Sequence, residues 1–78
     1  MSRGSRDIRP VVVVIADGAD IHMTARYAAA LGMAVERVLP ADRILNGYCD
    51  PAILEILRGI QGVGAADEAR AYPSRSFN

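Results

Sequence analysis

The chain has a single cysteine, a single histidine and no lysine, and its charges balance. Because Cys49 is alone, no disulfide can form within the chain, and we interpret it as a small buried hydrophobic residue. Nine arginines against nine acidic residues leave no net charge, whereas small nucleic-acid-binding domains usually carry a basic surplus. The composition therefore predicts no nucleic-acid partner.

Long apolar runs are also missing. No stretch approaches the roughly 20 apolar residues of a membrane-spanning helix, so we expect no membrane partner. Residues 1–9 contain three arginines and lack the apolar core of a secretory signal. We therefore expect a cytoplasmic protein, unless the chain is a fragment of a secreted precursor.

The length of 78 residues predicts one domain. We place this domain at residues 10–72, between a flexible N-terminus at residues 1–9 and a C-terminal tail at residues 73–78. A domain this small buries only about 60% of the surface of its unfolded chain and has little room for a deep catalytic cleft. These limits favour a binding module over an enzyme, and no phosphate loop or glycine-rich fingerprint predicts a cofactor.

Hydrophobic patterning predicts six elements of secondary structure. Pro10 opens a run of five β-branched residues, which is typical of a strand buried on both faces. Asn46 and Gly47 allow a tight hairpin turn as an alternative within the third strand. In chain order the predicted elements are a strand at residues 10–16, a helix at 20–31, strands at 34–39 and 43–49, a helix at 50–60 and a strand at 65–72.

Both predicted helices have a capping residue and an apolar stripe. Asp20 is the predicted N-cap of the first helix, and Asp50, followed by Pro51, is that of the second. Gly32 stands where a left-handed C-cap residue belongs. We expect the core-facing stripes to be Met23, Tyr27, Ala30 and Leu31 in the first helix, and Ile53, Ile56, Leu57 and Ile60, with Leu54 beside them, in the second.

The order β-α-β-β-α-β predicts an α+β, ferredoxin-like fold. Crossover connections are nearly always right-handed, which places both helices on one face of a four-stranded antiparallel sheet. Successive strand residues point to opposite faces, so the first strand turns either Val11 and Val13 or Val12 and Val14 away from the helices. An uncovered apolar sheet face is typical of a surface that binds a partner.

Several features between residues 29 and 72 follow one another along the chain: the helix end Ala30, Leu31 and Gly32, the strand around Val35, then Leu45, Gly47 and Tyr48, the second helix from Pro51, Val63, Ala66, and the acidic pair Asp67 and Glu68. In this order and spacing they resemble the propeptides of subtilisin-like serine proteases and their free-standing inhibitor relatives. The segment between Tyr48 and the second helix is shorter than is usual in that family, and Ala69 stands where a further Asp usually follows the acidic pair.

The resemblance implies a protein that is not an enzyme and that inhibits a subtilisin-like protease or chaperones its folding. The helix-free sheet face would pack on the protease, and the C-terminal peptide would enter the substrate cleft. The carboxylates of the acidic pair would meet the N-terminus of an enzyme helix. Arg75 would lie near the primary pocket and Tyr72 in an outer pocket, with Pro73 holding the peptide extended. The implied partner-binding residues are Asp67, Glu68, Tyr72, Pro73, Ser74, Arg75, Ser76, Phe77 and Asn78.

Other interpretations of the same residues stay open. A small ferredoxin-like regulatory or ligand-binding module would homodimerise through its sheet, and the free inhibitor itself could be a monomer or such a homodimer. A small enzyme would draw on Asp17, Asp20, His22 and Cys49, and the first three of these are close enough in sequence for a metal site. Asp20, however, is better explained as a helix cap. The alternative for the acidic pair is a solvated edge strand.

Overall fold

The computed structural model describes residues 8–69, which form four strands and two helices. β1 begins at Arg9, one residue before the predicted start of the domain, and residues 1–7 and 70–78 lie outside the description. The elements are β1 (Arg9–Ile15), α1 (Ile21–Leu31), β2 (Ala34–Leu39), β3 (Ile44–Cys49), α2 (Pro51–Leu57) and β4 (Val63–Glu68).

The four strands form one antiparallel sheet in the order β2-β3-β1-β4. β1 and β3 are therefore the central strands, and β2 and β4 are the edges. Each crossover helix joins two strands that have a third strand between them, which is the ferredoxin-like connection. The predicted α+β fold class is confirmed.

β1 is the centre of the core because it pairs with both β3 and β4. Val11, Val13 and Ile15 are at most 4% exposed, and they share one hydrophobic cluster with Ala28 of α1 and Leu57 of α2. Both helices therefore lie on the face to which these three side chains point. Burying an aliphatic side chain of this size contributes roughly 1.5–3 kcal/mol, so this face accounts for much of the stability of the fold.

Each helix starts at the predicted cap. The Asp20 and Asp50 carboxylates each accept hydrogen bonds from the backbone amides two and three residues ahead, at 2.9 and 3.1 Å. Gly32 follows α1 with φ at 121°, a conformation that glycine adopts without strain. Neither helix within residues 8–69 is long and apolar enough to cross a membrane.

α1 buries a different face from the one predicted. Its buried residues are Thr24 and Ala28, whereas Met23 and Tyr27 are 43% and 49% exposed. Of the four residues predicted as the stripe, only Leu31 packs against the core. The prediction was wrong because it ranked side chains by hydrophobicity. The residues of α1 that pack on the sheet instead have small side chains. The buried Thr24 hydroxyl donates a hydrogen bond to a backbone oxygen one turn earlier, at 3.0 Å.

α2 is shorter than predicted and ends at Leu57. After it the amides of Gly59 and Ile60 bond to the carbonyls three residues back, as in a tight turn, and Gly59 is a poor helix former. Leu54 and Leu57 are buried as expected, and Ile60 packs against the core. Ile56 was expected in the stripe but is 47% exposed, because the buried face of this short helix is centred on the two leucines.

Two strand predictions also need correction. β4 begins at Val63 rather than at residue 65, and its predicted end lies outside the described residues. Asn46 and Gly47 lie inside β3 and pair with β1, so the alternative of a hairpin turn at these residues is wrong. The turn lies just before β3, where Arg43 has φ at 58° and its guanidinium donates to the backbone oxygen of Ala16.

Gly47 occupies the most crowded position in the sheet. A Cβ at this residue would overlap the backbone oxygen of Ala34 and lie 2.9 Å from Cε of Met33. The register of β2 shifts beside this position, between Val35 and Arg37, where a bulge bends the strand. Only glycine therefore fits between β2 and the core at this point.

Substituting Gly47→Ala should lower the free energy of unfolding by more than about 2 kcal/mol, because the backbone at Ala34 would have to move. Gly64→Ala is the matched control. Its Cβ would make only ordinary contacts, at 3.5 Å or more, and it should change stability by less than about 0.5 kcal/mol. Urea unfolding followed by circular dichroism measures both variants. Equal unfolding midpoints for the two variants would contradict the crowding at Gly47.

Candidate functional site

We call the helix-free side of the sheet the open face. The strand register places three rows of side chains across it, each running from β2 to β4. The upper and lower rows are apolar, and the middle row is largely polar. The upper row is Leu39, Ile44, Val14 and Ala65; the middle row is Arg37, Asn46, Val12 and Asp67; the lower row is Ala34, Tyr48, Pro10 and Ala69.

The apolar rows expose large side chains on the central strands. Val14 of β1 is 42% exposed and Tyr48 of β3 is 40% exposed, while Leu39 and Ile44 beside them are half-buried. Nothing within residues 8–69 covers these side chains, since both helices lie on the other face. Exposed apolar side chains grouped on one face are typical of a protein-binding surface.

A shallow depression crosses the open face next to Tyr48. Its lining includes Pro10, Glu36, Asn46 and Ala69. The depression is open to solvent and has one acidic side chain among mostly small or apolar groups. Small-molecule sites are usually enclosed and place several polar groups around the ligand, so this shape suits a side chain of a protein partner better.

Asp67 lies at the β4 end of the middle row and is held by Arg58 of α2. Its Oδ1 accepts a hydrogen bond from Arg58 Nη2 at 2.9 Å, although the carboxylate side chain is 78% exposed. Arg58 also donates through Nε to the backbone oxygen of Ala66 at 2.8 Å and through Nη1 to Glu55. The Arg58 guanidinium therefore lies across the outer edge of β4, where it is bonded to a backbone oxygen that an additional strand would need in order to pair with β4.

Glu68 does not share the face of Asp67. It pairs with Val11, whose side chain points to the helices, and its carboxylate lies 3.5 Å from the Arg9 guanidinium. The two acidic residues are adjacent in a strand, and adjacent strand residues point to opposite faces. The predicted acidic pair is thus divided, with only Asp67 on the open face.

The last residue that the structure describes, Ala69, follows β4 directly and precedes the predicted tail at residues 73–78. The Ala69 amide donates to the Pro10 backbone oxygen at 2.8 Å, so the chain is still held beside β1 at this residue. The remaining predicted partner-binding residues lie outside the described part of the chain. They are Tyr72, Pro73, Ser74, Arg75, Ser76, Phe77 and Asn78.

The residues considered for catalysis or metal binding have structural roles or stand apart. Cys49 is 2% exposed in the core, which confirms the interpretation as a buried hydrophobic residue. Burial, and after it the charge of Asp50, raises the pKa of its thiol, whereas a catalytic cysteine needs a lowered one. Asp20 is a helix cap. Residues 8–69 contain no group of three or more His, Cys, Asp or Glu side chains that could hold a metal ion.

Sequence reasoning missed the middle row and the role of Arg58. Glu55 and Arg58 are three residues apart, a spacing that indicates a helix-surface ion pair. The further contact with Asp67 depends on how α2 packs beside β4, and no local pattern encodes that packing. Arg37 and Asn46 lie in different strands and become neighbours only through the register after the β2 bulge.

Substituting Arg58→Met should lower the free energy of unfolding by about 1 kcal/mol, since it removes hydrogen bonds to Ala66 and Asp67 but keeps an aliphatic stem. Arg26→Met on α1 is the matched control, because Arg26 makes no ion pair within residues 8–69. Thermal unfolding measures both. Two variants of equal stability would mean that the Arg58 contacts contribute nothing.

The buried Cys49 should make stability fall in alkaline solution. Its raised pKa keeps the folded thiol protonated, while the thiol of the unfolded chain ionises near about pH 8.5. The contribution of the protonated Cys49 thiol to the free energy of unfolding is therefore complete below that pH and is lost as the pH rises through the pKa of the folded state. In Cys49→Ala the loss of unfolding free energy between about pH 7 and pH 10 should be smaller than in the parent chain under reducing conditions. Identical slopes would contradict the raised pKa.

Comparisons of the chain with models of known protein families, with curated proteins and with solved structures found no match. The similarity of residues 29–72 to protease propeptides therefore stays a prediction from the sequence. What can be stated of the site is its geometry: an open sheet face with two apolar rows, one polar row, and the start of the C-terminal segment at its corner.

Proposed function

We propose that this chain binds and inhibits a subtilisin-like serine protease, or assists the folding of one. The open face would dock on the enzyme surface, and the C-terminal tail would enter the substrate cleft. The observation that carries the proposal is the open face itself. It is apolar along two of its three rows, and the last described residue, Ala69, lies at its corner.

Asp67 supports the docking part of the proposal. It lies on the open face, its side chain is 78% exposed, and only its Oδ1 accepts a hydrogen bond from within residues 8–69. The second carboxylate oxygen is available to the free amides at the N-terminus of a partner helix, where the helix dipole favours a negative charge. Glu68 points to the other side of the sheet, so the proposal assigns this role to Asp67 alone.

The length of the tail is compatible with the cleft-binding part. Nine residues follow Ala69, and a fully extended chain of this length spans about 30 Å. Such a peptide could gain main-chain hydrogen bonds by lying beside an enzyme strand. Because Ala69 is still hydrogen-bonded to Pro10, the tail would start from a fixed point at the border of the docking surface.

The test is inhibition of subtilisin-type proteases of differing pocket specificity. The full chain should inhibit at least one of them, and a chain ending at Tyr72 should inhibit that enzyme at least about tenfold more weakly, because it lacks the peptide in the cleft. Refolding yield of the denatured protease with and without the chain measures the chaperone alternative. No inhibition and no gain in refolding across the whole panel would refute the proposal.

A pair of variants tests whether the open face is the docking surface. Val14→Asp places a charge among the exposed apolar side chains and should weaken inhibition by about tenfold or more. Met23→Asp on α1 is the matched control, since Met23 is 43% exposed and Val14 is 42% exposed. Melting curves establish that both variants are folded at the assay temperature. Equal inhibition by the two variants would place the docking surface elsewhere.

A further inference from the structure

Each of the three rows of the open face can face the same row of a second copy in reversed order. A two-fold axis that runs parallel to the strands, in front of the open face, places each row over the same row of a second copy and reverses the strand order. The β2 end of every row then lies over the β4 end of its counterpart. At two places a large side chain meets a smaller one, because Leu39 lies over Ala65 and Tyr48 over Pro10, and at a third Ile44 lies over Val14.

The charges of the middle row favour this axis over the other way of stacking two open faces. With the axis parallel to the strands, Arg37 of each copy lies over Asp67 of the other. With the axis across the strands, Arg37 would lie over Arg37 and Asp67 over Asp67. Arg37 is exposed and makes no ion pair within residues 8–69, and Asp67 is exposed beside Arg58. We propose that in the free protein the open face binds the open face of a second copy, with Arg37 and Asp67 paired twice across a two-fold axis parallel to the strands.

The neighbouring charge on this face is compatible with that arrangement. Glu36 lies in the β2 bulge beside Arg37 and borders the depression on the Tyr48 side of the middle row, so it lies over the stretch of the second copy between Asp67 and Ala69. The two sheets of a sandwich are usually rotated by about 30°. At the edge strands such a rotation shifts facing positions by only a few ångströms, a distance that the long Arg37 side chain covers.

Association through the sheet edges is a poorer alternative for both edge strands. On β4, Arg58 Nε occupies the outward backbone oxygen of Ala66. On β2, the bulge between Val35 and Arg37 interrupts the regular spacing of backbone groups. Both features are ways in which proteins prevent a strand from pairing with another chain, so the face remains as the surface for self-association.

The size of the face predicts a weak and reversible dimer. Four strands about 4.8 Å apart and six residues long give a flat footprint of roughly 20 by 20 Å in each copy. The total area buried is then on the order of 1,000 Å², at the lower end of specific protein interfaces. A partner that offers a larger surface would displace the second copy. Self-association would therefore cover the surface that we propose for protease binding. The inference of a dimer rests on the open face alone and does not require that a protease binds there.

Sedimentation equilibrium of the full chain, from low micromolar to several hundred micromolar, measures the dimer. Arg37→Glu and Asp67→Arg should each raise the dissociation constant at least about tenfold, because each turns two attractions into two repulsions. An equimolar mixture of the two variants should restore dimers, since one pair then re-forms with reversed sign and the other is the unchanged pair of Arg37 and Asp67. Added salt should weaken the parent dimer.

Two controls make each outcome decisive. Arg26→Glu on the exposed side of α1 makes the same charge change as Arg37→Glu but away from the open face, and it should leave the dissociation constant unchanged. Asp67→Asn removes the Arg58 ion pair without reversing charge, and it should weaken the dimer less than Asp67→Arg. A chain that is monomeric at every concentration, or a dimer that both charge reversals leave intact, would overturn the inference. The assay contains no protease, so its failure is independent of a failure to inhibit.

Discussion

β1 needs a hydrogen-bonded strand on each of its edges and apolar surroundings on both of its faces. Its backbone is hydrogen-bonded to β3 and β4, and its side chains are apolar from Pro10 to Ile15. The helices cover one face, where Val13 is fully buried. The other face carries Val14 at 42% exposure, because both helices lie on the opposite side. The open face is thus a direct consequence of a two-sided apolar strand in a fold that has helices on one side only.

The rest of the structure limits what can approach that strand. Arg58 reaches across the β4 edge, and a bulge interrupts the β2 edge. Gly47 lets β2 approach β3 closely beneath Met33. In the propeptide resemblance this glycine is one of the matching positions, yet the crowding at Ala34 accounts for it within the sheet itself. A glycine required by packing therefore adds less to the case for a family than a functional residue would.

Protease binding and self-association draw on the same surface but make different demands on it. A protease would contact the apolar rows together with the C-terminal tail at residues 73–78. A second copy uses the apolar rows together with Arg37 and Asp67 at opposite ends of the middle row. Asp67 enters both accounts because it is the one acidic residue of its pair on this face, since Glu68 turns towards Arg9.

Local patterns in the sequence were sufficient for the element order and both N-caps, because capping and hydrophobic periodicity depend on neighbours along the chain. The exposed positions of Met23, Tyr27 and Ile56 were not predictable in this way. Which stripe of a helix is buried depends on the distance and rotation of the helix relative to the sheet. Thr24 and Ala28 are buried in α1 because their side chains are small. The division of Asp67 from Glu68 follows from strand alternation, but only the register with β1 assigns each to its face. The sequence by itself thus determined that an apolar sheet face would lie open. The tertiary structure decided which charges border it, because Asp67 meets Arg58 only through the packing of α2 beside β4, and Arg37 reaches the other end of the same row only through the register of β2 with β3.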